Sequence, residues 1–572
     1  MRRIALLIVV ALVTAGCGNV PQAFTAQVPT SGPIQQGAQV SGSNVDQFIR
    51  VIARPPRPDM TEVEVVQGFL DASASFDGNH AVAREYLTPQ ASARWDSSSG
   101  VVVYEGVPSL TENGPSIQFR AAQAGSIGPN GRFQVQEPGT EATATFRMVE
   151  TNEGWRIDGL PGGLLLSQTD VDRAFRSYAL YFFDPTFQIL VPDSRMIPVI
   201  GPGLATTLVR RLLDGPNEWL RPAVRTGFPD GVDLNIDAVL INAGVAEVDL
   251  DASAQLADDA SRQAFSQQLV WTLRQLPDVQ SVEITSAGQP LFVPGVVNPQ
   301  PRDAWPEVDP SGLEPGSAAY VASTIGVREI IDGGTVPVAG QAGTREPLLV
   351  DIAISQDGSR IAGVDVDGSL WSGSIQAGAN LFELASAAEP LALAYDGPDN
   401  LWLVDAEGAL SLYSPTGRTF PIAVQGLRDV DVLRAAVPSR DGTRAALLVQ
   451  SGPRTNVLLA RVVRTSPTGR VGIEIQDPIR VESKLVEVVD VAWSSADSLA
   501  VLGSESAGAL QVIEVNIGRG SIFAQGSPEG PVSLAAAPGL PTLVAAADGV
   551  VYDNTTGSWS GRVNAASPTY PG

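Results

Sequence analysis

The sequence predicts a multidomain fold of two α+β domains followed by an all-β propeller of about six blades. Residues 59–170 begin with helical periodicity and change to strand periodicity, and residues 176–294 alternate strands with two helices. Residues 316–572 contain only short strands and turn signals. The length of 572 residues fits three or four domains of ~100–200 residues each. The apolar content of 44% excludes a wholly disordered chain.

The first 16 residues have the layout of a secretory signal peptide. Arg2 and Arg3 precede an apolar run over residues 4–13, which is shorter than the ~20 residues that a membrane-spanning helix needs. Small residues then lead directly to Cys17. This arrangement resembles a bacterial lipobox, which implies that the Cys17 thiol is acylated and becomes the mature N-terminus. Thr14 departs from the aliphatic residue usual at its position, and an ordinary signal peptide ending beside a cysteine is the alternative.

The composition narrows the classes of partner. The formal net charge is −25, from 62 acidic and 37 basic residues, which argues against binding to nucleic acid or lying flat on anionic lipid. Cys17 is the only cysteine, so no disulfide framework can form and the exported domains must rely on packed cores. Residues 17–58 are rich in Gln, Ser, Pro and Gly and are predicted to be a tether.

The first domain is predicted to begin with helices. Thr61 and Glu64 form a capping-box pattern at the start of the first helix, and two shorter helices are predicted after His80 and after Thr88. Strands are predicted at 101–104, 117–122, 131–135, 141–149 and 154–157. Helices followed by a curved sheet resemble the NTF2-like cone, in which the sheet wraps a pocket. A filled apolar core is the other interpretation.

The second domain is predicted to mix strands and helices. Strands are expected at 178–183, 190–192, 196–199, 232–236, 239–241, 245–248 and 282–285, with helices at 204–214 and 261–275. The segments 190–192, 212–216, 228–231, 245–250, 269–273 and 279–285 resemble, in order, those of the GerMN domain of sporulation and germination lipoproteins. That resemblance implies a binding role at the cell envelope and no catalytic residues. Residues 295–315 are Pro- and Asp-rich and are predicted to be a linker.

A repeating unit identifies the propeller. One apolar strand recurs about every 40–45 residues, with one longer step, and the spacing matches a blade of four strands. The strands are centred on Val321, Ile361, Leu401, Ala445, Leu499 and Leu543. The first unit lacks an obvious innermost strand, which either residues 295–315 or the tail after Val563 could supply. Asp-Gly pairs are interpreted as hairpin turns, and Trp371, Trp402 and Trp493 as blade core.

The sequence predicts no catalytic, cofactor-binding or metal-binding residue, and the chain is not expected to be an enzyme. His80 is the only histidine, so a Ser-His-Asp triad could only be built on it, and we expect it at the surface. The carboxylates Asp249, Asp251, Asp258 and Asp259 are interpreted as solvated groups and helix N-terminal charges. A carboxylate pair that cleaves glycosides stays an alternative, because 62 acidic residues would place some pair at a suitable distance.

The order of lipobox, tether, two α+β domains and propeller resembles the LpqB family of actinobacterial lipoproteins. The resemblance implies an anchor through acylated Cys17 on the outer face of the cytoplasmic membrane. It also implies an accessory role in a two-component system, in which the lipoprotein contacts the extracellular domain of the sensor histidine kinase MtrB. MtrA signalling, envelope homeostasis and division would be modulated in this way. The alternative is a lipoprotein that binds cell-wall glycan or modifies the wall.

Overall fold

The computed structural model describes residues 53–199, 203–313, 316–386, 390–465, 472–506 and 508–572. The signal peptide over residues 1–16, Cys17 and most of the predicted tether lie outside the described residues. Across the described part of the chain, we find no helix with the length and apolar character needed to cross a membrane.

The first domain places its helices against one face of a six-stranded sheet. The strands run in the order β5-β4-β2-β1-β6, with β3 beside β2. The predicted capping box forms at the start of α1, where the Thr61 hydroxyl accepts from Glu64 N and Glu64 accepts from Thr61 N. The sequence analysis missed β6, which pairs in parallel with β1, and α4. The elements are α1 (Glu62–Ser73), α2 (Ala81–Glu85), α3 (Pro89–Arg94), β1 (Val101–Asn113), β2 (Ser116–Ile127), β3 (Phe133–Val135), β4 (Glu141–Thr151), β5 (Gly154–Gly159), β6 (Leu164–Ser167) and α4 (Gln168–Ala174).

The second domain combines a hairpin of β7 and β8 with a sheet ordered β12-β11-β10-β9, in which β13 also pairs with β11. Its core lies between these strands and the helices α5 and α6. The elements are β7 (Phe175–Phe183), β8 (Leu190–Pro198), α5 (Leu204–Leu213), β9 (Leu240–Asn242), β10 (Val245–Leu250), α6 (Asp259–Leu273), β11 (Ser281–Ser286), β12 (Gln289–Pro290) and β13 (Gln300–Pro301).

The strand predicted at 232–236 does not form. Leu234 makes only an isolated bridge with Leu250. The Asp233 carboxylate accepts from Leu234 N, and the Asn235 amide donates to Asp249, so short polar side chains compete with a regular ladder at this point.

The prediction that residues 295–315 form a linker is wrong for the described part of the segment. Its strand β13 pairs with β11, and the Trp305 side chain is 6% exposed within the core of the second domain. Trp305 Nε1 donates to Gln300 Oε1 at 2.8 Å, and the Trp305 carbonyl accepts from Trp271 Nε1 at 3.1 Å. One buried indole with a partner for its N–H anchors a segment whose average composition indicates a linker.

Within the described part of residues 316–572, the strands form six four-stranded antiparallel sheets. The innermost strands contact one another in sequence around a ring, which gives a β-propeller-like arrangement. The strands are β14 (Tyr320–Ser323), β15 (Gly326–Ile331), β16 (Gly334–Pro337), β17 (Leu349–Ile354), β18 (Arg360–Asp365), β19 (Leu370–Ser374), β20 (Leu381–Ala385), β21 (Ala392–Tyr395), β22 (Leu401–Val404), β23 (Leu410–Tyr413), β24 (Thr419–Ile422), β25 (Asp431–Pro438), β26 (Arg444–Ser451), β27 (Arg454–Thr465), β28 (Gly472–Arg480), β29 (Glu487–Ser495), β30 (Ser498–Ser504), β31 (Gln511–Asn516), β32 (Ile522–Gly526), β33 (Pro531–Ala535), β34 (Leu543–Ala546), β35 (Val550–Asp553), β36 (Ser560–Asn564) and β37 (Ala566–Thr569).

The C-terminal tail closes the ring. Strand β37 pairs antiparallel with β14 and is the innermost strand of the first sheet, so the tail after Val563 supplies the missing strand and residues 295–315 do not. Beyond β37, Gly572 N donates to Ile354 O of the second sheet, and the Tyr570 hydroxyl donates to Pro541 O of the sixth. The tail therefore joins the first, second and last sheets.

Local predictions for the propeller are confirmed at the turns and at two tryptophans. Gly358 and Gly442 have φ of +68°, as the turns at Asp-Gly pairs require. Trp402 and Trp493 are buried in the sheets, whereas Trp371 is half-buried and donates its indole N–H to Asp365.

Candidate functional site

His80 is buried, which corrects the prediction that it lies at the surface. Its side chain is 4% exposed and lies between the rings of Phe76 and Trp95, with centroids 4.7 and 5.7 Å away. Asn79 and His80 both have left-handed backbone angles, φ +56° and +59°. Burial lowers the pKa of His80 below its usual value, because desolvation disfavours the imidazolium.

The surroundings of His80 do not match a Ser-His-Asp triad. An imidazole N–H faces the carbonyl oxygens of Ser73 and Ser75, and Nδ1 has no hydrogen-bond partner among the described residues. A triad needs a carboxylate on one ring nitrogen and a hydroxyl on the other. His80 instead lines a cavity of about 430 Å³ together with residues of the second domain, among them Met196, Thr207 and Arg211.

A buried ion pair on β8 of the second domain lies at the junction with the first domain. Arg195 and Asp193 are both almost fully buried on β8, with Arg195 Nη2 2.6 Å from Asp193 Oδ2. Arg195 Nη1 also donates to Asn130 O of the first domain at 2.6 Å. Asn217 donates its backbone N–H and its side-chain amide to Asp193. Both carboxylate oxygens of Asp193 therefore accept hydrogen bonds. This arrangement is held in a single conformation, because losing one partner would leave an uncompensated buried charge.

A second set of polar contacts joins the second domain to the propeller. The guanidinium of Arg461 donates to Trp219 O at 2.6 Å and to Asp477 at 2.6 Å, while Trp219 Nε1 donates to Asp477 O at 2.8 Å. Arg444 is buried beside Asp441 and reaches Pro192 O of β8 at 3.5 Å. The contacts connect β8 and the segment after α5 of the second domain with the fourth sheet of the ring.

The turn over residues 516–521 in the fifth sheet touches both N-terminal domains. An added Cβ at Gly518 would lie 2.4 Å from Ser194 Cβ of the second domain. An added Cβ at Gly520 would lie 2.7 Å from Val135 Cγ2 of the first domain. Glycine is required where backbones approach this closely, so the three domains meet at this turn.

The second domain exposes apolar side chains at one edge of its sheet. Strand β9 is the edge strand, and its residues Leu240 and Ile241 are exposed, as is Ile236 just before it. The exposed fractions are 56% for Leu240 and 62% for Ile236. An unpaired apolar edge strand is a template for contact with another chain.

Two carboxylates near the centre of the ring have raised pKa values. Burial raises the pKa of Asp490 to about 7, although its oxygens accept from Leu534 N and Val491 N. Burial also raises the pKa of Asp351, against the effect of its hydrogen bonds from Ser567 and Ile352 N. Arg440 lies in the turn between β25 and β26 of the fourth sheet, and burial lowers its pKa to about 10. Its guanidinium donates to Pro571 O of the tail and to Gly312 O.

The predicted carboxylate cluster in the second domain serves local structure. Asp258 caps α6 by accepting from Ser261 N at 2.8 Å, which confirms its helix N-terminal role. Asp251 accepts from Ser253 N, and Asp249 accepts from Asn235, Thr285 and Gly288. Within the described ranges, no group of three or more His, Cys, Asp or Glu side chains is arranged to hold a metal ion.

Family models match the chain in three consecutive segments. They are described as "Lipoprotein LpqB, N-terminal domain" over residues 55–172, "Sporulation and spore germination" over 179–292, and "Lipoprotein LpqB beta-propeller domain" over 326–571. The chain is similar to Lipoprotein LpqB of Thermobifida fusca, with 31% identity over 99% of both chains.

The chain belongs to the LpqB family of lipoproteins. Lipoprotein LpqB of Streptomyces avermitilis is 29% identical over 97% of both chains. The first GerMN domain of the sporulation protein GerM from Bacillus subtilis aligns with 22% of this chain and 92% of its own, at 21% identity and a TM-score of 0.18. Membership of the LpqB family supports an extracytoplasmic lipoprotein, and the matched descriptions are not those of an enzyme family.

The sequence analysis missed the residues that join the domains. The signal was present in β8, where Asp193 and Arg195 interrupt an otherwise apolar strand. Charged residues are almost never fully buried unless they are paired, so two of them in such a strand indicate a buried pair. Gly518 carried no comparable signal, because its role depends on a segment more than three hundred positions away, around Ser194.

Proposed function

We propose that this LpqB-family lipoprotein is an accessory of a sensor histidine kinase of the MtrB type, anchored on the outer face of the cytoplasmic membrane. Acylated Cys17 would hold it there, and contact with the kinase's extracellular domain would modulate MtrA signalling in envelope homeostasis and division. The descriptions of the relatives support the lipoprotein, and the contact with the kinase rests on the family resemblance of the sequence. Confinement to the same membrane raises the effective concentration of the two partners, so a weak interface suffices.

The observation that carries the proposal is the exposed apolar edge around β9 on a rigid support. Leu240 and Ile241 are held in place by the pairing of β9 with β10. The domain behind them is joined to its neighbours by hydrogen bonds from two buried guanidiniums, Arg195 to Asn130 O and Arg444 to Pro192 O. A preorganised surface loses less conformational freedom on binding than a flexible one. We therefore assign the kinase contact to this edge.

The proposal includes the finer architecture. We infer an NTF2-like cone for residues 59–170, a GerMN-like domain for 176–294 that the anchored segment around Trp305 extends, and a six-bladed propeller for 316–572. Residues 1–16 would be removed as the signal peptide, and residues 17–58 would form the tether. The sheet order of the first domain and the six four-stranded sheets of the ring support these assignments.

Binding to the kinase can be measured with the soluble chain from Gly18 and the purified extracellular domain of MtrB, by calorimetry at physiological salt. We expect saturable binding that Leu240→Arg weakens at least about tenfold, because the charge would be desolvated in the interface. Val366→Arg is the matched control, since Val366 is 64% exposed on the propeller. Absence of binding up to high micromolar concentration, or equal effects of both variants, would contradict the proposal.

Lipidation is tested separately on the full chain in an actinobacterial host. Cys17→Ala should leave the protein unacylated and release it from the membrane fraction, whereas Thr14→Leu, which restores the usual lipobox residue, should not. Recovery of the Cys17→Ala protein in the membrane fraction after a carbonate wash would show that another feature anchors the chain.

A second candidate function is binding of cell-wall glycan. A cleft of about 270 Å³ between the second and third sheets is lined by Phe382 and Tyr413 together with Arg360 and Asp399. Aromatic faces beside charged groups suit a sugar ring. The test is retention on purified cell wall: Phe382→Ala should abolish it, and Phe523→Ala, on the corresponding outer strand of the fifth sheet, should not. If the wild-type chain is not retained, or if Phe382→Ala is retained as well as the wild type, this cleft does not bind cell-wall glycan.

A further inference from the structure

The cavity beside His80 combines apolar walls with one unsatisfied polar atom. It is lined by the apolar side chains Phe76, Val101, Ile127, Leu164, Phe175 and Met196. Its volume of about 430 Å³ lies in the range of sites for small organic molecules, ~300–1,000 Å³. The walls come from both N-terminal domains, so the cavity exists only while the two are joined.

His80 Nδ1 is the unsatisfied atom. Burial lowers the pKa of His80, which favours the neutral imidazole. Since Nδ1 has no partner among the described residues, we assign the proton that faces the carbonyl oxygens of Ser73 and Ser75 to Nε2, which leaves Nδ1 as a hydrogen-bond acceptor. The side chain is more than nine-tenths buried and lines the cavity. A buried acceptor without a donor is unfavourable by roughly the desolvation of that group, and such groups are rare in folded proteins.

The backbone holds His80 in this position at a cost. Gly78, Asn79 and His80 follow one another with φ of +56°, +56° and +59°. The left-handed region is unfavourable for residues with a Cβ, and it persists only where the surroundings impose it. Arg84 stabilises the turn by donating from Nε to Asn79 O at 2.9 Å, while its guanidinium lies 5.0 Å from the Trp95 ring centroid.

The polar surroundings favour an uncharged ligand. Arg211, the cation that lines the cavity, already donates to Pro129 O and lies 3.8 Å from the Asp214 carboxylate. A neutral imidazole offers an acceptor at Nδ1, which a carboxylate or phosphate oxygen cannot use. An O–H or N–H group on an apolar body would complete the hydrogen bonding.

We propose that this cavity binds a small, uncharged, mainly apolar molecule whose single hydroxyl or N–H group donates a hydrogen bond to His80 Nδ1. Contacts from both domains to the same molecule make the ligand a stabiliser of their junction, through the Phe76 and Leu164 walls on one side and Met196 on the other. This inference does not depend on the kinase contact.

The test compares 2-naphthol with 2-fluoronaphthalene as probes on the soluble chain from Gly18, by titration calorimetry and by the shift in melting temperature. The two probes have similar size and differ in the O–H donor. We expect 2-naphthol to bind about tenfold more tightly, the value of one net hydrogen bond. His80→Phe should bind both probes equally, because it keeps an aromatic ring and removes the acceptor.

Met196→Trp is the second variant, and it leaves His80 in place while filling the cavity. It should weaken the binding of both probes, so the test stays decisive if His80→Phe does not fold. No binding of either probe to the wild-type chain at its solubility limit would show that only water occupies the cavity and would overturn the proposal. An unchanged preference for 2-naphthol in His80→Phe would overturn the role of Nδ1.

Discussion

At the scale of single residues, His80 and Asp490 have pKa values shifted in opposite directions by burial. The pKa of His80 is lowered below its usual value by burial, so the unfolded state binds the extra proton as pH falls below about 6.5. The pKa of Asp490 is raised to about 7, so the folded state holds the extra proton between pH ~4 and 7. Acidification therefore destabilises the fold through His80 and stabilises it through Asp490.

Replacing Asp490 should remove its contribution to the pH dependence of stability. For the wild type, the contribution of Asp490 to stability is present in full below pH ~4 and is lost as pH rises towards 7, by at most about 1.4 kcal/mol per pH unit. Asp490→Asn removes that dependence, because an amide does not ionise. The measurement is the thermal unfolding midpoint of the propeller, followed by tryptophan fluorescence. We expect the midpoint of the variant minus that of the wild type to rise between pH 5 and 7 and to level off above pH 7.

The control for this prediction is Asp367→Asn, in an exposed turn of the second sheet, which should follow the wild-type profile. If the difference in unfolding midpoint between the wild type and Asp490→Asn stays constant from pH 5 to 7, Asp490 does not ionise near neutrality.

At the scale of elements, most helices and strands could be predicted from the sequence. The segment around Trp305, which packs into the second domain, and β37, which completes the first propeller sheet, could not. The α1 start, α6 and the repeated strands of the ring follow from periodicity and capping, which are local properties. The anchored segment around Trp305 and the pairing of β37 with β14 depend on contacts with residues far away in sequence. Composition alone cannot report such contacts, and the same limit hid His80 in the core.

Trp305 should contribute strongly to the second domain. Trp305→Ala removes a buried indole and its hydrogen bond to Gln300 Oε1, and we expect a loss of about 3–5 kcal/mol in unfolding free energy. Amide hydrogen exchange of residues 295–313 should accelerate with it. The matched control is Phe292→Ala, because Phe292 is 68% exposed in the same domain, and it should change stability by less than about 0.5 kcal/mol. Equal losses of unfolding free energy from the two substitutions would indicate that residues 295–313 are a linker and not part of the domain core.

The closing strand makes a further prediction. A chain that ends at Asn564 lacks β37, so Tyr320 and Ala322 of β14 lose their partners and the first sheet has an open edge. We expect a lower melting temperature for the propeller and concentration-dependent association. Tyr570→Phe removes only the hydrogen bond to Pro541 O and should cost about 1 kcal/mol. A truncated chain that stays monomeric with an unchanged melting temperature would mean that β14 does not need β37.

At the scale of the whole molecule, the described domains act together because their contacts converge on the propeller. The turn over residues 516–521 touches both N-terminal domains, and Arg480 lies 3.0 Å from Glu137 of the first domain. The β9 edge, the His80 cavity and the ring therefore belong to one compact unit. Such coupling is what an anchored protein needs to present one surface to a partner in the same membrane.

Gly518 is the position at which this coupling can be broken without altering a charge. Its φ is not in the left-handed region, so Gly518→Leu is compatible with the turn, but its Cβ would lie 2.4 Å from Ser194 Cβ. We expect the substitution to separate the propeller from β8 and to accelerate hydrogen exchange in residues 190–198, while the strands within the sheets stay protected. Gly508→Leu, in another turn of the fifth sheet, meets no atom closer than 3.8 Å and should leave exchange unchanged. Protection of β8 in both variants would mean that the domains are joined independently of this turn.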